Sequence, residues 1–169
     1  MTAPLSEGII AKWITTSQPS DTVEVAINGN TVVVGAWQAT VGGNDQQGAA
    51  YVFTEPGSGW ASMTQTAKLT AIYSARFNED FGYSVSISGN TVVVGADDAN
   101  IGANDYQGAA YVFTEPASGW ASMTQTATLI ASDGGFDDLF GSSVSISGNT
   151  VVVGAPGANN GQGAAYVFT

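Results

Sequence analysis

Apolar and polar residues alternate along short runs of this chain and do not recur at helical spacing. Over 83–88, Val85 and Ile87 alternate with Ser84, Ser86 and Ser88, the period of two expected of a strand with one covered face. Residues 91–95 form a valine-rich block, 109–114 set Tyr111 and Phe113 on one face, and 123–131 carry Thr at every second position for part of their length. β-Branched and aromatic residues dominate, as a pleated sheet prefers. Gly89-Asn90 separates the first two runs, a hairpin signal in which both residues accept positive φ. The turn cluster Glu115-Pro116-Ala117-Ser118-Gly119 separates the last two. Named a to d in order, these runs predict a four-stranded antiparallel meander, a unit that suits the blade of a β-propeller.

The pattern repeats. Ile27–Ala71 and Ile87–Ala131 lie 60 residues apart and agree at 35 of 45 positions. A third copy starts at Ile146 and stops at Thr169, after strand c. The identity extends to Ser62-Met63-Thr64-Gln65-Thr66, which has no evident core duty, so the duplication is recent or the sequence was built. The missing strand d has a counterpart at the other end, where Ala11-Lys12-Trp13 aligns with Ala67-Lys68-Leu69. The expected organisation is therefore a leading strand in 1–17, blade 1 in 18–76, blade 2 in 77–135, and blade 3 in 136–169 without its outer strand. Closed propellers typically have about 4–8 blades, so three blades do not close a ring alone. The reading is an all-β chain of three meanders whose leading strand completes the last blade of another copy. Ile9, Ile10, Trp13, Tyr166 and Phe168 are the expected assembly residues. Two chains would give six blades and are favoured, three would give nine, and an angle that does not close would give a filament. A truncated piece of a longer propeller is the alternative.

Composition narrows the chemistry. There is no His and no Cys, which removes the thiol nucleophile, the usual general base, the Ser-His-Asp triad and disulfides. Acids outnumber bases 14 to 3, a net charge of −11, so phosphate backbones and anionic lipid are repelled. Neither nucleic-acid binding nor membrane insertion is expected, and no apolar run approaches the ~18 residues of a spanning helix. The first residues, MTAPLSEGII, have neither a basic nor a long apolar segment and do not read as a signal peptide.

The residues Phe81-Gly82-Tyr83-Ser84-Val85-Ser86-Ile87-Ser88-Gly89-Asn90-Thr91-Val92-Val93-Val94-Gly95-Ala96, followed by Gly108-Ala109-Ala110-Tyr111-Val112-Phe113, resemble the FG-GAP repeat. This is the blade unit of the integrin α-subunit propeller and of many bacterial surface proteins. Phe140-Gly141 and Gly154-Ala155-Pro156 repeat the name-giving pairs. The resemblance implies a propeller, a ligand-binding rim at the d–a and b–c loops, and an extracellular or cell-surface origin. The sequence departs from the pattern where Asp21-Thr22 replace Phe-Gly, and where Trp37 and Asp97 follow Gly-Ala. Many members carry a calcium loop between strands a and b. Here that connection is a tight hairpin, unable to supply the six to eight oxygens calcium takes, so no cofactor is expected, with calcium the one ion the family suggests.

Ten of the 14 acids fall in d–a or b–c loops, which polarises charge toward one rim. The candidate ligand residues are Glu79, Asp80, Asp97, Asp98, Asp137 and Asp138, with the loop aromatics Trp37 and Tyr106. Adjacent carboxylates would bind a divalent ion if a neighbouring loop added oxygens, although acids in loops also serve solubility and turn formation. Exposed aromatics in Gly/Asn-rich loops suit sugar stacking or a protein contact. The expected function is a non-enzymatic binding, adhesion or scaffold module with a protein or glycan ligand. A lectin using Trp37 and Tyr106, or an engineered or fragment-derived propeller without a native ligand, are the alternatives. A glycosidase would need two facing carboxylates, and nothing in the sequence fixes such a pair.

Overall fold

The computed structural model describes residues 23–72 and 79–169. The expected leading strand, with Ile9, Ile10 and Trp13, lies outside them. The described strands are β1 (Val25–Asn28), β2 (Thr31–Ala36), β3 (Ala49–Thr54), β4 (Ala67–Thr70), β5 (Ser84–Ser88), β6 (Thr91–Ala96), β7 (Ala109–Thr114), β8 (Met123–Thr124), β9 (Ala127–Leu129), β10 (Ser143–Ser147), β11 (Thr150–Ala155) and β12 (Ala164–Phe168). They form three sheets in the orders β1-β2-β3-β4-β8, β5-β6-β7-β9 and β10-β11-β12. These are propeller blades, each an antiparallel meander. The short turn at 158–161 holds Asn159 and Asn160 in left-handed conformations and is not a regular helix.

The a–b hairpins pair Asn28 with Thr31, Ser88 with Thr91 and Ser147 with Thr150. Gly29, Gly89 and Gly148 adopt φ of 58°, 55° and 57°, whereas the Asn that follows each does not take positive φ. Positive φ at the first turn position alone marks a type II′ turn, so glycine is required there and the Asn is not.

Strand d differs from its expected form. In blade 2 it splits: Ala127–Leu129 completes its own sheet, while Met123–Thr124 pairs in parallel with β4 of blade 1. Ser122 Oγ and Gln125 Oε1 accept the Lys68 and Ile72 amides of that neighbour. The Ser-Met-Thr-Gln segment therefore stitches one blade to the preceding one, a duty for its identity that packing alone did not suggest.

Two apolar layers join the blades. Val33, Val52 and Leu69 of blade 1 meet Val85, Ile87, Tyr111 and Phe113 of blade 2, and Trp120 closes the same cluster. Val93, Val112 and Leu129 of blade 2 meet Ile146, Val153, Tyr166 and Phe168 of blade 3. Each blade thus offers a front face to the blade before it and a back face to the blade after it. Serines on the back face of β5 finish the joint. Ser84 Oγ donates to the Gly141 carbonyl at 2.7 Å, and Ser86 and Ser88 Oγ accept the Ile146 and Gly148 amides.

The d–a corner is the second point of contact. Phe81 is buried against Tyr111 and Phe113 of its own blade, with ring centroids 5.5 and 5.9 Å away, and Phe140 repeats this with Tyr166 and Phe168. The corner backbone presses on the blade before it, bridging Gly48 to Phe81 and Gly108 to Phe140. A methyl group at Gly48 or Gly108 would collide with the facing Phe carbonyl.

The outer faces of the first and last blades lack this cover. On the front of blade 1, Val25, Ile27 and Trp60 are 57%, 67% and 41% exposed, where their counterparts Val85, Ile87 and Trp120 are 8%, 8% and 7% exposed. On the back of blade 3, Val152 and Val167 are exposed, where Val93 is fully buried. Trp60 does not pack between blades as Trp120 does, because no described blade precedes its own. Tyr166 and Phe168 are engaged inside the chain on Phe140, so the outward residue of that strand is Val167.

Candidate functional site

The d–a and b–c loops place acids from two connections against each other. Asp97 and Asp98 follow β6 in the turn closed by the Ala99 amide on the Ala96 carbonyl. Asp80 opens the d–a corner at a φ of 54°, in a turn closed by the Tyr83 amide on its own carbonyl. One carboxylate oxygen from each of Asp80, Asp97 and Asp98 lies within 4.8 Å of the others.

The electrostatics follow from that crowding. Asp80 is pushed up to about 7 by burial, then by Asp98 and Asp97. Asp97 is pushed up to about 6 by burial and by Asp98, against a smaller downward pull from the Asp97 and Asp98 amides and the Ser142 hydroxyl. Asp98 is raised by burial and then by Asp137. The Tyr83 hydroxyl is raised foremost by Asp97, then by burial, Asp80, Asp98 and Glu24. Lys68, the one basic residue described, sits over the Tyr51 ring and not among these acids.

Asp97 is the most buried member. It is 6% exposed. Its Oδ2 lies 3.2 Å from Ser142 Oγ, but that hydroxyl is closer to the Leu139 carbonyl, at 2.7 Å. One hydroxyl proton cannot serve both fully. Its Oδ1 is buried with no hydrogen-bond partner.

Of the residues singled out in the sequence, Asp80, Asp97 and Asp98 come together. Asp137 reaches the group through its charge on Asp98. Glu79 is buried beside Asp80 in the chain. Asp138 is spent locally: its Oδ2 accepts the Gly135 amide at 2.7 Å and closes a turn. Trp37 is half-buried and meets Tyr83 edge-on at 6.4 Å. Tyr106 stays partly exposed and meets the exposed Phe136 edge-on at 6.3 Å, an aromatic pair of its own. Sequence reading missed Tyr83 and Ser142. Both occupy the variable position after Phe-Gly, which is where a corner side chain faces the rim.

The FG-GAP repeat model matches residues 23–53, 63–113 and 123–168. The chain belongs to the FG-GAP repeat family. In this FG-GAP protein the name-giving residues are two sides of one joint. Gly82 lies so close to the Ala36 amide and the Ala49 carbonyl of the preceding blade that a side chain there would collide with both, and Gly35 faces the Gly82 carbonyl. Phe-Gly of one blade therefore docks on Gly-Ala of the blade before. No curated protein matches the chain. Among solved structures, the crystal structure of the computationally designed Ika4 protein aligns with a TM-score of 0.40 and 16% identity, covering 91% of this chain and 94% of that one. Among the described residues, no helix is long and apolar enough to cross a membrane.

Proposed function

We propose that this chain is a non-enzymatic, extracellular FG-GAP module that closes a six-bladed ring with a second copy and presents an acidic loop rim for binding. One observation carries the assembly: the two uncovered faces are the two halves of the joint already used twice inside the chain. The front of blade 1 offers Val25, Ile27 and Trp60, and the back of blade 3 offers Val152 and Val167. Ser143, Ser145 and Ser147 on that back face are exposed, where Ser84, Ser86 and Ser88 hold the neighbouring blade. In the ring, Ser145 and Ser147 of one copy would accept the Ile27 and Gly29 amides of the next. Among the described residues β12 has no partner on its outer edge. Beside it lies a cleft of about 310 Å³ walled by Val112, Leu129, Ile146, Val151 and Phe168, room for the missing outer strand. Two copies give six blades, inside the usual range of about 4–8, whereas three give nine.

Light scattering on the purified full chain tests this. The expected mass is twice 17.1 kDa, and removal of residues 1–15 lowers it. A stable 17.1 kDa species with native sheet signal overturns the assembly. A second reading, glycan binding, is favoured by the exposed Tyr106–Phe136 pair, since exposed aromatic faces stack on sugars. A glycan array comparing the protein with Tyr106→Ala and Trp37→Ala separates the two readings.

A further inference from the structure

The acids of the rim are not shared by the three copies. At the positions of Asp97 and Asp98 the first copy has Trp37 and Gln38 and the third has Pro156 and Gly157. At the position of Asp80 the third copy has Leu139, which keeps the same left-handed φ, 56° against 54°, and the same turn, with the Ser142 amide on the Leu139 carbonyl. The corner therefore folds without an acid at that position. Blade construction does not account for three carboxylates converging at one corner of blade 2 in a chain whose copies are otherwise nearly identical.

We propose that Asp80, Asp97 and Asp98 form a binding site for one hard divalent cation, with calcium the best match in coordination. The oxygens all lie within 4.8 Å of one another, close enough to share one ion, and three carboxylates completed by water suit calcium, which takes six to eight oxygens in flexible geometry, better than magnesium, which demands a near-ideal octahedron. The donors are all oxygen, the class that selects such ions over softer metals. The second, independent observation is Asp97 itself, whose Oδ1 is buried with no hydrogen-bond partner and whose Oδ2 shares the Ser142 hydroxyl with the Leu139 carbonyl. A buried carboxylate oxygen without a partner is costly, and a cation seated among the three acids satisfies it and removes their mutual repulsion. Water fills the remaining coordination positions from the rim, because Asp80 and Asp98 are only half-buried. The site lies between the d–a and b–c loops, at the opposite end of the blade from the a–b hairpins.

Calcium titration of the full chain by calorimetry in physiological salt tests the site, with terbium luminescence as a second readout. Tyr83 is close enough to Asp97 for its hydroxyl to be perturbed by it, and it would sensitise a bound lanthanide. One calcium per chain is expected, weaker for magnesium, with a Kd of about 10⁻⁴–10⁻³ M, as in extracellular modules. Asp97→Asn, and Asp80→Leu, which installs the third copy's own residue, should each weaken binding about tenfold or more. Asp45→Asn, an exposed acid outside the group, should leave it unchanged. Circular dichroism of each variant separates lost binding from lost fold. Absence of calcium heat and of terbium emission overturns the proposal. So does binding that survives both cluster variants, or that Asp45→Asn weakens equally, because that pattern reports diffuse attraction to an acidic protein.

Discussion

Gly108 and Gly163 occupy the same place in successive copies, just before the Ala-Ala-Tyr-Val-Phe strand, and adopt the same backbone, with φ of 82° and 80°. Their surroundings differ in one respect. A methyl group on Gly108 would strike the Phe140 carbonyl of the next corner, while one on Gly163 would meet nothing closer than the Pro156 carbonyl at 3.5 Å, an ordinary contact. Replacement by Ala costs both sites the left-handed strain, about 1–2 kcal/mol. At Gly108 the collision is with backbone held by a buried Phe ring and a bridge, and such overpacking adds about 1–3 kcal/mol. Gly108→Ala is thus expected to lose about 2–5 kcal/mol and Gly163→Ala about 1–2 kcal/mol. At about 2–4 °C per kcal/mol for a chain of this size, the melting temperatures should separate by several degrees. Urea unfolding at several protein concentrations is the assay, with Gly48→Ala expected to behave like Gly108→Ala. If the ring forms, Gly163 meets the first blade of the next copy, so an extra cost there appears as easier dissociation on dilution. Equal, concentration-independent losses at Gly108 and Gly163 would refute the docking of the Phe-Gly corner as the joint between blades.

Two further predictions follow from the same structure. Ile27→Ser should weaken self-association while sparing the fold of the single chain, whereas Ile87→Ser, at the covered counterpart, should lower stability. Covering Ile27 as Ile87 is covered recovers over half of a side-chain burial of about 1.5–3 kcal/mol, and a two-copy ring holds two such joints, so the dissociation constant should rise roughly twentyfold to four-hundredfold, read by sedimentation. With a chelator present, stability should fall as pH rises from about 4 to about 7. Asp80 and Asp97 have raised values in the folded chain, so over that window the folded state holds protons that the unfolded state has released. Asp98, Asp137, Tyr83 and Glu24 face the same group. Asp80→Leu should flatten the slope, and an unchanged slope would refute the assignment.

The blades were legible because period-two alternation, Gly-Asn turns and three near-copies all point the same way. The register Val85↔Val94 and Tyr111↔Val94 places side chains on the faces their alternation required. The split of strand d was not legible, because Met123-Thr124 and Ala127-Thr128-Leu129 read as one β-prone run. Only the neighbouring blade's free edge decides that the first pair leaves its own sheet. The site was half legible. Loop acids could be sorted to one rim by topology, but which of them meet depends on how the d–a corner folds over the b–c loop. That geometry joined Asp80 to Asp97 and Asp98 and turned Asp138 back on the Gly135 amide. Ser142 and Tyr83 carried no signal of their own beyond following Phe-Gly.

Ring closure requires that the uncovered front of blade 1 fit the uncovered back of blade 3. Electron microscopy of the purified particle, viewed down its axis, tests this most directly. A closed ring with six lobes and two-fold symmetry is the expected image, and a discrete particle of three lobes, with both end faces in solvent, would contradict it.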